Sequence, residues 1–174
     1  MAIRKIARMG HPVLLQRAAE VEDPAAVQEL IRDMTETLVD SGGIGLAAPQ
    51  IHESLRIILV SVPKDRAAEG EAEVQITTLI NPVLTPMGEE QALGWEGCLS
   101  IPGLRGAVPR FVRVRFEALN AKGNPVTGEA HDLMARVLQH EVDHLDGILY
   151  PMRMQDHSQF GFDEEIGRYA HGER

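Results

Sequence analysis

Residues 131–145 read H-D-L-M-A-R-V-L-Q-H-E-V-D-H-L, and their periodicity organises the rest of the chain. At about 100° per residue, Met134, Leu138, Val142 and Leu145 fall on one apolar stripe, while Leu133, Val137, His140, Glu141 and His144 share the arc beside it. This predicts a helix over 131–145, closed by Gly147. The apolar stripe docks the helix on a core, and the second arc carries H-E-V-D-H at 140–144. An i, i+4 pair places its β-carbons about 5 to 6 Å apart, so both imidazoles can reach one ion. Glu141, between them, can face a water beside that ion. H-E-x-x-H is short, and two surface histidines flanking a solvated glutamate remain a rival reading.

Upstream, Phe111 to Leu119 alternates Val112, Val114, Phe116 and Ala118 with Arg113, Arg115 and Glu117, the period of a half-buried strand, and a turn follows at Asn120 to Pro125. Val74 to Leu84 reads as a strand broken near Pro82, and Leu55 to Val62 as another. The stretch between them, Lys64 to Glu73, is polar and reads as a solvated loop. Asp23 is a candidate N-cap for an amphipathic helix with Pro24 at its first position, apolar positions at Val27, Leu30, Ile31, Met34 and Leu38, and an end at Gly42. The following G-I-G-L-A-A-P-Q is glycine-rich and small in its side chains, which predicts a segment outside the core. Strands outnumber helices and do not alternate with them. The expected class is therefore α+β, with antiparallel strands packed around the 131–145 helix and a further N-terminal helix.

With 174 residues the chain has the length of one domain, read as 1–174 with 151–174 as its C-terminal extension. No apolar run approaches the roughly 20 residues a membrane span needs. The N-terminus M-A-I-R-K-I-A-R-M-G lacks a signal or transit pattern. A net charge of −9 opposes binding to phosphate backbones, so nucleic acid is not the expected substrate. Cys98 is the one cysteine, which excludes an intrachain disulfide and fits a reducing, cytoplasmic setting. A lone cysteine is often a small buried hydrophobe. Yet W-E-G-C-L-S-I-P-G frames Cys98 in a turn-like stretch, and two histidines with a glutamate base leave a catalytic metal one protein ligand short. His11, His52, His131, His157 and His171 have no ligand spacing and read as ordinary polar residues.

Three segments in this order, G-I-G-L-A-A-P-Q (43–50), E-G-C-L-S (96–100) and Q-H-E-V-D-H (139–144), resemble the peptide deformylases, across about residues 3–155. These metal hydrolases remove formate from the N-terminal formylmethionine of new polypeptides. The resemblance implies Cys98, His140 and His144 as ligands of one divalent ion, Fe2+ foremost, with Zn2+, Ni2+ or Co2+ able to replace it. It implies Glu141 as the proton-transfer group, and the Gln50 side-chain amide with the Leu99 backbone N–H as donors to the developing oxyanion. Gly43, Ile44 and Gly45 would admit the substrate backbone as an added strand; the plain alternative is a helix-ending turn. The methionine side chain would enter a pocket lined by Ile44, Leu133, Val137 and His140, with Leu99 near its mouth. Glu96 would pair with Arg110 and buttress the site, the alternative being a rim ion pair worth under about 1 kcal/mol.

Two features depart from the commonest bacterial pattern. Arg136 stands where many members have an aliphatic residue, and helix geometry offers it two orientations: a stem lining the pocket mouth with its guanidinium in solvent, or a surface pair with Asp132 at i−4. The segment 151–174, with three basic and five acidic residues, is unlike a basic ribosome-docking helix, which leaves at most a transient ribosome contact. Two other function classes compete: an H-E-x-x-H zinc peptidase with Cys98 merely packed, and a peptide-binding module with a structural metal that would not need Glu141.

Overall fold

The computed structural model describes residues 2–65 and 73–170. Most of the polar stretch expected as a loop, 66–72, lies outside the described residues. Among the described residues, eight strands run as β1 Gly45–Ala47, β2 Ile57–Val62, β3 Val74–Pro86, β4 Gln91–Cys98, β5 Ile101–Phe111, β6 Arg113–Leu119, β7 Pro125–His131 and β8 Phe160–Phe162. The helices are α1 Gln28–Ser41, α2 Asp132–Leu145 and α3 Asp163–Ala170. The class is α+β, as the element pattern predicts. One antiparallel sheet has the order β1-β2-β3-β6-β7 and a second the order β4-β5-β8.

The expected helix α2 lies against β1 and β2 and buries Ala135, Leu138 and Leu145 with Ile58, Val60, Leu79 and Val114, while Met134 and Val142 pack at its flank. Helix α1 starts later than its cap signal suggests. Asp23 caps a 3-10 turn over Pro24–Val27, its carboxylate accepting from the Ala25 N–H at 2.8 Å, and the α-helix follows. Gly42 ends that helix in the left-handed region at φ 64°. Strand β3 does not stop at Pro82. A bulge there absorbs the missing N–H, with Asn81 at φ 52° and bonded through its side chain to both backbone groups of Val21.

The small-residue segment 43–50 corrects the expectation that it stays outside the core. Leu46, Ala47, Ala48 and Gln50 are buried, because β1, though the outermost strand of the larger sheet, packs against both α1 and α2, and the 3-10 turn Ala48–Ile51 that follows it packs against α2. The chain after Pro151 enters the second sheet, where β8 pairs with β5 from Leu104↔Phe162 to Gly106↔Phe160.

Candidate active site

Strands β4 and β5 form a hairpin whose turn is Leu99-Ser100, and this turn sets Cys98 against α2. Cys98 Sγ lies 3.3 Å from His144 Nε2, and one donor atom from each of Cys98, His140 and His144 falls within 4.8 Å of the others. This is the one such group of metal-binding character among the described residues. The two imidazoles meet edge to face, 5.1 Å between centroids, as expected of an i, i+4 pair aimed at a common point.

Glu96 orients the site. Its Oε2 is 2.8 Å from His140 Nδ1, which leaves Nε2 of that ring for an ion. Arg110 donates to both Glu96 oxygens at 2.9 and 3.0 Å, and Arg136 adds a third cationic contact at 2.9 Å. Burial opposes ionisation of Glu96, but hydrogen bonds from His140 and Arg110 outweigh it and hold the carboxyl down at about 2. Glu96 and Arg110 are both about 5% exposed, so their contact is a buried pair, not a rim ion pair. Arg110 also reaches Asp143 at 2.5 Å, and Arg153 closes on Asp143 from the other side at 2.6 Å.

Burial lowers the basicity of both imidazoles, and on His144 the neighbouring His140 and Arg110 charges push it well below the ordinary value. On His140 the hydrogen bonds to Cys98 and Glu96 prevail over burial and raise it. The Cys98, His140 and His144 donors, gathered at one point, are of the types that would hold a divalent cation. A thiolate with two imidazoles suits iron and zinc alike. Beside it, burial and the Glu96 charge push Glu141 up to about 7, and its Oε2 is buried without a hydrogen-bond partner. A buried carboxylate oxygen with a vacant acceptor fits a group that exchanges protons with bound water or substrate.

Gln50, 1% exposed, is held by its Oε1 accepting the Ala47 N–H at 2.9 Å, so its amide nitrogen faces Cys98 Sγ at 3.4 Å and Ser100 Oγ at 3.2 Å. Gly45 begins β1 directly over Glu141: a β-carbon there would fall inside the carboxylate, with Cδ at 2.7 Å. The glycine run thus ends helix α1 at Gly42 and also starts a close-packed strand at Gly45.

A cleft of about 690 Å³ opens over these groups. Gly43, Ile44, Gly45 and Gln50 form one wall, Glu96, Cys98 and Leu99 the hairpin side, and Leu133, Arg136, Val137, His140 and Glu141 the floor. His144 and Arg110 sit behind this lining. Sequence reasoning missed Ser100, Asp143 and Tyr150, whose ring stacks 6.1 Å from His140, and the outer wall of Trp95, Leu104, Arg105 and Asp163. Asp143, three residues after His140, had a usable signal, since i, i+3 positions are neighbours on a helix. Ser100 and Tyr150 had none.

Arg136 takes neither expected orientation. Its stem lines the cleft, but the guanidinium is turned inward, donating to Ala92 O at 2.7 Å, Val108 O at 2.8 Å and Gly94 O at 3.3 Å as well as to Glu96. The cause is the β4–β5 hairpin, which crosses α2 and presents carbonyls closer than solvent or Asp132. An added β-carbon at Gly94 would lie 2.8 Å from the Arg136 guanidinium carbon, so a larger residue there requires the head group to shift. Arg136 therefore braces the strand bearing Cys98 against the helix bearing both histidines. Arg136→Met, which keeps the stem, and Gly94→Ala, which displaces the head group, should each speed metal release to a chelator and cost about 1 to 3 kcal/mol of stability. Release at the wild-type rate in both variants would separate the brace from the metal cradle.

A family model described as polypeptide deformylase matches residues 3–160. The chain belongs to that family. It is 46% identical over 169 residues to peptide deformylase 2 of Pseudomonas putida and 43% identical over 166 residues to peptide deformylase 1 of Nitrosomonas europaea, covering 94% of both chains in each case. Among solved structures, the class I type b peptide deformylase of Acinetobacter baumannii bound to Met-Ala-Ser superposes with a TM-score of 0.81 at 35% identity, covering 88% of this chain and 99% of that one. The actinonin complex of the Ehrlichia chaffeensis enzyme gives 0.83 at 31% identity, covering 100% and 99%. The activity is thus peptide deformylation by a metal-dependent hydrolase, and the zinc-peptidase and binding-module readings are not favoured. No helix among the described residues is long and apolar enough to cross a membrane.

Proposed function

We propose that the chain works as one catalytic unit over 1–174, in the cytoplasm, on N-formylmethionyl nascent peptides, with Cys98, His140 and His144 holding Fe2+. Zn2+, Ni2+ or Co2+ fits the same donors. The observation that carries this reading is the buried Glu141 carboxylate, with a partnerless oxygen, beside the Cys/His/His triangle in an open cleft. The ion, when bound, would act as a Lewis acid and lower the pKa of water enough for hydroxide to form near neutral pH.

The chain's own groups do the rest. Glu141 takes a proton from the attacking water and passes one to the departing amine nitrogen as the formyl C–N bond breaks, giving formate and a free N-terminus. Gln50 Nε2, fixed by Ala47, and the Leu99 N–H in the hairpin turn are the donors for charge developing on the formyl oxygen. Gly43 and Ile44, which lead into β1, and Gly45, its first residue, accept the peptide backbone as a strand added outside β1, the outermost strand of its sheet. Ile44, Leu133 and Val137 then receive the unbranched methionine side chain. Met-Ala-Ser bound to the Acinetobacter baumannii relative supports a peptide in this cleft. Ribosome contact, if made, is transient, because segment 151–174 carries more acidic than basic residues.

The test uses anaerobically purified enzyme loaded with Fe2+ and formyl-Met-Ala-Ser. Formate and free amine should appear in equal amounts with no internal cleavage. Internal cleavage without formate would replace this reading with the peptidase.

A further inference from the structure

We propose that Asp163, the first residue of α3, is a specificity-determining residue of the cleft, acting with Arg105 to select the charge of the substrate's residues downstream of methionine. This rests on the deformylase reading. Arg105 lies in β5 opposite Gly97, one residue from Cys98, and its side chain runs over that glycine, where an added β-carbon would touch Cγ at 3.7 Å. Pairing of β8 with β5 at Arg105↔Gly161 brings α3 to the same place, and Asp163 Oδ1 meets Arg105 Nε at 2.6 Å. Both residues line the cleft.

The remaining charged groups of the lining are committed elsewhere. Arg136 and His140 both bond Glu96, and Glu141 is buried. Arg105 and Asp163 are by contrast 49% and 52% exposed. With the formyl end at Cys98 and the methionine side chain between Ile44, Leu133 and Val137, the wall of Leu104, Arg105 and Asp163 is left for later residues. An extended peptide advances about 3.3 Å per residue, so its second and third side chains reach such a wall.

An exposed ion pair is easily opened, which lets a substrate charge compete for either partner. Asp163 neutralises Arg105, and Glu164 follows it on the exposed start of α3. With the net charge of −9, this end of the cleft favours a basic over an acidic side chain. The C-terminal segment thereby supplies a selectivity that the metal site itself does not.

The test compares kcat/KM for three C-terminally amidated peptides, formyl-Met-Ala-Lys, formyl-Met-Ala-Asp and formyl-Met-Ala-Ser, with the Fe2+ enzyme at low ionic strength. Wild type should prefer the lysine peptide. Asp163→Asn should lower the lysine-to-aspartate ratio by about 3- to 10-fold, chiefly through KM, and Arg105→Gln should raise it. Both shifts should shrink in high salt. A ratio unmoved in both variants, or an equal change on all three peptides, would make the pair a structural clamp and overturn the proposal. Absence of formate from the serine peptide with wild type would instead be a failure of the functional reading.

Discussion

Glu141→Gln should retain its metal and lose turnover by about 10²-fold or more. The amide keeps the volume beneath Gly45, so the close contact of β1 with α2 survives, while the proton acceptor is gone. Metal content by elemental analysis and single-turnover formate release measure the two halves, and near-normal turnover would return Glu141 to a structural role. The same substitution has an opposite effect on stability. In the metal-free protein burial lifts the carboxyl from its ordinary 4.5 to about 7. A raised folded pKa means that the folded state binds the proton more tightly, so stability is fullest below 4.5 and declines as pH rises through about 7. The loss is on the order of 3 kcal/mol by pH 8. Glu141→Gln has no such titration, so with chelator present its Tm should exceed wild type at pH 8 and converge with it near pH 4. A parallel Tm–pH profile for the two proteins would contradict the burial cost.

What the sequence made legible follows from period and spacing. Helix α2 announces itself because its apolar stripe and its H-E-V-D-H arc repeat at one helical period, and β6 because Arg113, Arg115 and Glu117 alternate with Val114 and Ala118, both buried. The β4–β5 hairpin is obscured by Gly94, Gly97, Pro102, Gly103 and Pro109, residues that weaken a strand signal. Pairing from Gln91↔Phe111 to Gly97↔Arg105 overrides that local preference. Several of these glycines have tertiary reasons. Gly94 makes room for Arg136, and Gly106 faces Met154 Sδ, which a β-carbon would approach to 2.5 Å.

The orientation of Arg136 could not be read from its own helix, because its acceptors belong to a hairpin whose crossing is set by tertiary packing. Strand β8 is three residues long, F-G-F, too short for a periodic signal, and so the contribution of Asp163 to the cleft was hidden. Glu96 was legible as a partner of Arg110 through the family motif. Its grip on His140 is visible only once β4 and α2 are brought together.

Cys98→Ala should lose bound metal and activity together while the protein remains folded. Substitution at partners of metal ligands costs about 10- to 100-fold in affinity, so removing a ligand should cost more, leaving two imidazoles that cannot complete the usual three-ligand catalytic site. The structural cost is small by comparison. Cys98 is only partly buried at the edge of a cluster centred on Leu14, Val108 and Tyr150, and Gln50 keeps Ser100 as a partner when the sulfur is gone. Metal per chain and Tm in the presence of chelator separate the two effects: a ligand cysteine predicts lost metal with a nearly unchanged chelated Tm. A packing cysteine predicts full metal occupancy with a Tm drop. The identity of the ion enters through the same sulfur, since Fe2+ and its thiolate are both open to oxidation. Wild-type enzyme loaded with Fe2+ should lose activity faster in air or peroxide than under anaerobic conditions, whereas the Zn2+ form has no metal oxidation to undergo. Equal half-lives of the protein as isolated from cells, with and without oxygen, would therefore argue that its native ion is not iron.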